Sequence, residues 1–221
     1  VKRGVAGELR TLGITGGIGA GKTTLCRILV DRYQLPWIDA DALGHEALQP
    51  GSTVYEALVA RFGEGALDPA GRLSRSRLAD RVFRDPAALR DLNGLVHPWI
   101  LERIEARLAA LKASGHRGII LVDAALLPSW LDRFRPDGIA VVTAPLEVRL
   151  ARLEERGLDR EEARRRIESQ EAEASWTSRA DWIVENTGSL ADLAAKARSL
   201  FESARSRWKL GGTGGPDAGR P

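Results

Sequence analysis

Leu12-Gly13-Ile14-Thr15-Gly16-Gly17-Ile18-Gly19-Ala20-Gly21-Lys22-Thr23 is the stretch that decides the fold. Its last eight residues match G-x-x-x-x-G-K-[ST] in full. A short apolar run leads into the glycines. After them, Leu25, Ile28 and Leu29 recur at helical spacing between Lys22 and Tyr33, so the pattern predicts strand, loop and helix in that order. Glycines at these positions let the backbone curl so that successive N–H groups point inward at phosphate oxygens. The helix start adds the positive end of its dipole. In such a loop the lysine reaches the β- and γ-phosphates and the threonine offers its hydroxyl to Mg²⁺. Gly17, Ile18, Gly19, Ala20, Gly21, Lys22, Thr23 and Thr24 are therefore the candidate nucleotide-binding residues. Lys22 is also a catalytic candidate, and Thr23 is the candidate metal ligand.

Outward from the loop, Pro36-Trp37-Ile38-Asp39, Ile119-Ile120-Leu121-Val122-Asp123, Gly138-Ile139-Ala140-Val141-Val142-Thr143 and Trp182-Ile183-Val184 read as further short strands. Continuous apolar runs of this kind suit a parallel sheet covered on both faces. Residues 42–62 read as helix with a break at Gln49-Pro50-Gly51-Ser52, and 63–74 as loop. Between Asp85 and Ser114 the apolar spacing predicts amphipathic helix, interrupted at His97-Pro98, because a residue before proline is pushed out of the α region. Residues 146–175 carry Arg and Glu at helical spacing with a break at Gly157. A last helix spans 189–208 with Ser189 as N-cap. Strands alternating with helices give an α/β fold with a central five-stranded parallel sheet.

The chain has 221 residues, 43% hydrophobic and 29% charged, which suffices for a real core and excludes wholesale disorder. It fits one compact domain with embellishments, or a core with one or two small inserted subdomains. No apolar run is long enough for a transmembrane helix, and the N-terminus has no apolar segment of signal-peptide type. Cys26 is the single cysteine, which excludes an intramolecular disulfide and a thiolate zinc cluster and points to a reducing, cytoplasmic location. His45, His97 and His116 are too scattered for metal-ligand spacing. The net charge of +3 is too small an excess to argue for a nucleic-acid partner. Arginine-rich chemistry does suit the handling of phosphates.

Asp39 and Asp41 follow the second strand. In open parallel sheets ligands sit beyond the carboxyl ends of strands, so one carboxylate could activate an acceptor hydroxyl while the other holds water on Mg²⁺. Both could equally serve as N-cap residues of the next helix. Asp123 ends its strand either as a Walker B acid or as a plain strand-end polar group. Arg149, Arg152 and Arg156, followed by Arg160, Arg164, Arg165 and Arg166, read as an arginine flap over the nucleotide. The same residues also read as a solvated helix pair laced with Glu154, Glu155, Glu161 and Glu162. His97 before Pro98 is a substrate ligand or a packing residue.

An ordered set of short words resembles the dephospho-CoA kinase family. It comprises Thr15 to Thr24, then Asp39-Ala40-Asp41, Gln49-Pro50-Gly51, Phe62-Gly63, Leu92-Asn93 and His97-Pro98, then Arg152-Leu153, Arg156, Gln170, Ala180-Asp181 and Asn186-Thr187-Gly188-Ser189. The likeness covers about residues 10–205. It implies a P-loop kinase-type three-layer fold with a helical substrate-binding insertion and a lid. It implies phosphorylation of the ribose 3′-hydroxyl of dephospho-CoA, with ATP and Mg²⁺. It places the general base at Asp41 and sets the lid residues Arg152 and Arg156 on ATP, with Arg152 also catalytic. Asp39, Asp41, Asn93 and His97 are the implied substrate-binding residues. Residues 1–9 are then a flexible leader and 10–208 one kinase domain. Within it the core is 10–41, 115–145 and 176–208, the CoA-binding helical region is 42–114 and the lid is 146–175. Residues 209–221 are a disordered tail. Dephospho-CoA is the expected partner, with neither nucleic acid nor membrane, and no oligomeric state is read from the sequence.

The chain departs from the family's pattern in three places. Ala125-Leu126-Leu127-Pro128-Ser129 stands where Pro-Leu-Leu-x-Glu is usual, Arg149 where a glutamine commonly precedes the lid arginine, and His45 where arginine is frequent. Competing readings are another small-molecule P-loop kinase (acting on a nucleoside monophosphate or a sugar), a GTPase and a non-catalytic nucleic-acid or regulatory ATP module. Asp41-Ala42-Leu43-Gly44 fits D-x-x-G, but no Asn-Lys-x-Asp word accompanies it.

Overall fold

Five strands order the computed structural model, which describes residues 8–170 and 173–210. The leader's first seven residues and the tail from residue 211 lie outside the described residues. In chain order the elements are β1 (Leu9–Gly16), α1 (Lys22–Tyr33), β2 (Trp37–Asp39), α2 (Ala40–Ala47), α3 (Tyr55–Phe62), α4 (Arg75–Arg84), α5 (Pro86–Ala113) and β3 (Gly118–Asp123). Then come α6 (Leu127–Trp130), β4 (Gly138–Thr143), α7 (Leu146–Glu154), α8 (Arg160–Glu168), α9 (Glu173–Thr177), β5 (Trp182–Glu185) and α10 (Leu190–Arg207). The sheet runs β2-β3-β1-β4-β5, with β1 parallel to both β3 and β4, and β4 parallel to β5. The five-stranded parallel sheet expected from the apolar runs is present.

Strand order fixes where a ligand can sit. From β1 the chain travels toward β2, and from β3 it crosses back to β4. The loops leaving β1 and β3 therefore diverge, and the crevice of a parallel sheet opens at such a reversal, beyond the strands' carboxyl ends. Ile14 of β1 is in register with Asp123 of β3, so the glycine loop and the acid emerge side by side.

Two compact units form. The first comprises the described parts of Val1–Ile38 and Leu111–Pro221, and the second is Asp39–Ala110. In the first, Leu12, Ile14, Leu25, Leu29, Leu121 and Val142 pack with Leu193 and Leu200 of α10 into the main core. Tyr33 stacks on Phe201 with ring centroids 3.7 Å apart. α10 begins in a capping box, as Ser189 suggests, with Ser189 and Asp192 each bonding the other's backbone N–H.

The second unit is helical and holds the one departure from the expected elements that bears on candidate residues. α5 runs unbroken from Pro86 to Ala113 with Pro98 inside it, so His97-Pro98 does not interrupt it. A proline there forfeits one backbone hydrogen bond. Val96, Trp99, Ile100 and Ile104 are buried around it, and their burial outweighs the lost bond. α4 lies beyond the segment read as loop and is capped by Ser74, whose hydroxyl accepts from Arg77 N–H.

β1 is also tied at its entry. Asp137, just before β4, accepts from Thr11 N–H at 2.7 Å, the Thr11 hydroxyl at 2.9 Å and the Arg10 guanidinium at 2.8 Å. Burial pushes the Asp137 carboxyl up, but these hydrogen bonds outweigh it and hold the group below its ordinary value. A depressed folded-state value means stabilisation that is present above the unfolded value and lost as pH falls through the folded one. Asp137→Ala is expected to cost about 1–3 kcal/mol at neutral pH. Urea midpoints should show the gap to the parent closing as pH falls below the ordinary carboxylate value and through the depressed folded one.

Candidate active site

α1 starts without a side-chain cap. Its N-cap residue is Gly21, and its first turn has no acidic residue, whereas α2, α4, α8 and α10 are capped by Asp39, Ser74, Asp159 and Ser189. The orphan N–H groups and dipole of α1 thus stay available to an anion. Lys22, at the head of this helix, forms an ion pair with Asp123. The lysine is 9% exposed and the carboxylate 1%. The pair lies at the crevice between β1 and β3.

Gly21 is required where it stands. Its φ is +100°, and a Cβ there would lie 2.1 Å from Nδ2 of Asn186. Asn186, 6% exposed at the end of β5, donates that amide to Ala20 O at 2.8 Å. Arg152 of α7 donates to Gly19 O and Ala20 O, both at 3.3 Å, and to Asn186 O at 3.1 Å. Gly21→Ala is expected to strain the loop by about 1–3 kcal/mol and to weaken ATP binding at least about tenfold, readable by melting and by calorimetry. An open cavity of 400 Å³ adjoins this cluster, lined by Gly21, Thr24, Arg152, Arg156, Asn186 and Leu190 among others.

The structure therefore gathers the loop residues, Arg152 and Arg156 in one unit. Asp39, Asp41, Asn93 and His97 belong to the other. Asp39 accepts from Ala42 N–H at 3.0 Å and caps α2, which realises the capping role for that residue. Asp41 is exposed in the first turn of α2. Asn93 and His97 are half-buried on α5, four residues apart and hence on one face. Of the departing positions, Ala125 O accepts from the Thr15 hydroxyl at 3.4 Å. The Ser129 hydroxyl turns back onto Leu126 O at 2.7 Å.

Three residues absent from the candidate set belong to the loop's surroundings: Asn186, Arg149 and Gln170. Arg149 Nε donates to Ile18 O at 2.8 Å, and Gln170 Oε1 accepts from Ile18 N–H at 2.8 Å. Asn186 and Gln170 stand in the family words, and Arg149 stands both among the departures and in the arginine flap, a reading that sets it over the nucleotide and not against the loop's own backbone. Nothing local marks any of the three as a loop partner.

The donors present suit Mg²⁺. It prefers oxygen, keeps several waters and takes only one or two protein ligands beside substrate phosphates. Thr23 offers an exposed position at the head of α1, and Asp123 offers a carboxylate at the neighbouring strand end. Among the described residues no group of three or more His, Cys, Asp or Glu gathers into a cage. Nor, among them, is any helix long and apolar enough to cross a membrane.

A glycine-rich phosphate loop between β1 and α1, at the reversal point of a parallel sheet, with a buried lysine on a strand-end acid, defines a P-loop nucleotide-binding protein of kinase type. A sequence model described as dephospho-CoA kinase matches residues 10–192, and the chain belongs to that family. The dephospho-CoA kinase of Corynebacterium diphtheriae is 37% identical over 195 residues, covering 88% of this chain and 96% of that one. Among solved structures, the Thermus thermophilus protein TT1252 has a TM-score of 0.74 at 34% identity over 89% of this chain and 98% of its own. The dephospho-CoA kinase from Campylobacter jejuni shares the fold, with a TM-score of 0.62 at 24% identity over 90% and 99%.

Proposed function

We propose that this chain is a dephospho-CoA kinase, which transfers the γ-phosphoryl group of ATP to the ribose 3′-hydroxyl of dephospho-CoA and so completes coenzyme A. The observation that carries this reading is the family match across residues 10–192 on a chain whose phosphate loop is intact. The loop amides and the α1 terminus bind the triphosphate, and Lys22 holds the β- and γ-phosphates. Arg152 and Arg156, beside the loop, neutralise charge on the transferring group. Asp41 takes the proton of the 3′-hydroxyl as the new P–O bond forms. The bond from the γ-phosphorus to the β,γ-bridging oxygen breaks, and ADP leaves with its electron pair. Mg²⁺, held by Thr23 with Asp123 as a second oxygen donor, would supply further neutralisation of the phosphate charge.

On this reading the helical region 42–114 receives dephospho-CoA, with Asp39, Asn93 and His97 as its contacts. Residues 146–175 act as the lid. A cytoplasmic location belongs to the same reading, in keeping with a single, buried Cys26. The test is turnover with ATP and Mg²⁺ against a panel of acceptors: dephospho-CoA, nucleoside monophosphates, shikimate and gluconate. Dephospho-CoA should be preferred by kcat/KM. Preference for any other acceptor would move the chain to a different small-molecule kinase activity.

A further inference from the structure

Arg149 is 6% exposed, an unusual place for a guanidinium. It lies against the outer turn of the phosphate loop. A Cβ on Gly17 would come 2.4 Å from its Nη2, and one on Gly19 would come 2.9 Å from its carbonyl oxygen. Three hydrogen bonds close a triangle there: Arg149 Nε to Ile18 O, Ile18 N–H to Gln170 Oε1, and Arg149 Nη2 to the same Oε1 at 3.2 Å. The Ile18 side chain packs onto Leu150, Leu153 and Ala163 of α7 and α8. Both main-chain polar groups of Ile18 and its side chain are thus held by the segment from Leu146 to Gln170. Ile18 N–H is spent on Gln170, so Ile18 supports the loop's shape, and the uncapped start of α1 is what stays available to an anion.

We infer that Arg149 is a positioning residue for the phosphate loop. With Gln170, it fixes the Gly17–Gly19 turn before nucleotide arrives and makes the loop's order depend on α7 and α8. The planar guanidinium suits this because its Nε and Nη2 donors lie in one plane and reach two acceptors at once. The lysine ammonium is a compact point charge without that fork. A loop already ordered binds its ligand without the entropy of ordering it.

The experiment measures Arg149→Lys, Arg149→Gln and Gln170→Ala for melting temperature and calorimetric affinity for Mg-ATP. It also measures kcat and KM for each substrate. Calorimetry reads the loop whichever alcohol is phosphorylated, so this inference and the assigned reaction fail separately. In folded variants the ATP Kd should rise about tenfold while the KM for dephospho-CoA stays within about twofold. The double variant Arg149→Lys/Gln170→Ala should bind ATP no more than about twofold worse than the weaker single, because the two residues serve one triangle. Gln170 is half-buried and its truncation keeps Arg149, so this variant serves if the Arg149 variants do not fold. An ATP Kd within about twofold of the parent, with or without a lower melting temperature, would overturn the inference and leave Arg149 as packing alone.

Discussion

Replacing Lys22 with Met is expected to lower kcat/KM by about 10³-fold or more, the scale on which a cation is lost from a phosphoryl-transfer site. Lys22 acts in two ways. At the reaction centre, the ammonium is the charge that the loop brings to the β- and γ-phosphates, and a thioether supplies none. In the fold, Lys22 is the partner of Asp123, a carboxylate only 1% exposed. Removing one member of a buried pair strands the other, at about 3–5 kcal/mol. Melting should therefore drop together with activity, and the two effects must be separated. Lys22→Met/Asp123→Asn removes the stranded charge and should recover most of the stability. Activity should stay low, and lower than in Asp123→Asn alone, which keeps the ammonium and shows how much of the loss belongs to the carboxylate. Recovery of activity together with stability would mean that Lys22 matters only to folding.

Asp41→Asn is expected to lower kcat by about 10²–10⁴-fold, the usual worth of a positioned general base. The KM for ATP should stay within about twofold. Asp41 is exposed, and the cap of α2 is made by the neighbouring Asp39, so the cap itself survives the substitution. Asp39→Ala is the companion. It removes the cap and should cost about 1 kcal/mol of stability. Steady-state kinetics with both substrates varied, beside thermal melts, reads all of this. A kcat for Asp41→Asn within about threefold of the parent would send the 3′-hydroxyl proton to another group.

The part of the site that the sequence makes legible is the part built from adjacent residues. The glycine loop, Lys22 and Thr23 are written consecutively, and the spacing dictates their backbone path. The continuous apolar runs 119–123 and 138–143 announce strands buried on both faces, as β3 and β4 are. Ser189 announces its cap because capping is local. Pro98 misleads for the opposite reason: the local rule ends a helix, and burial of Trp99, Ile100 and Ile104 continues it. α4 gives a weak signal because, among the residues whose burial is described, Leu78 is its one buried side chain in an arginine-rich sequence. Arg149, Gln170 and Asn186 lie more than 120 residues from the loop they hold. They reach it only because β4 and β5 line up beside β1. Strand order is not written in any one segment, so those roles emerge only with the fold.

The most direct measurement incubates the folded chain with ATP, Mg²⁺ and dephospho-CoA and follows the product by phosphorus NMR alongside ADP release. One ADP should appear for each new phosphate monoester, located on the ribose 3′-oxygen. ADP with inorganic phosphate and no ester, or an ester at a different oxygen, would contradict transfer to that hydroxyl.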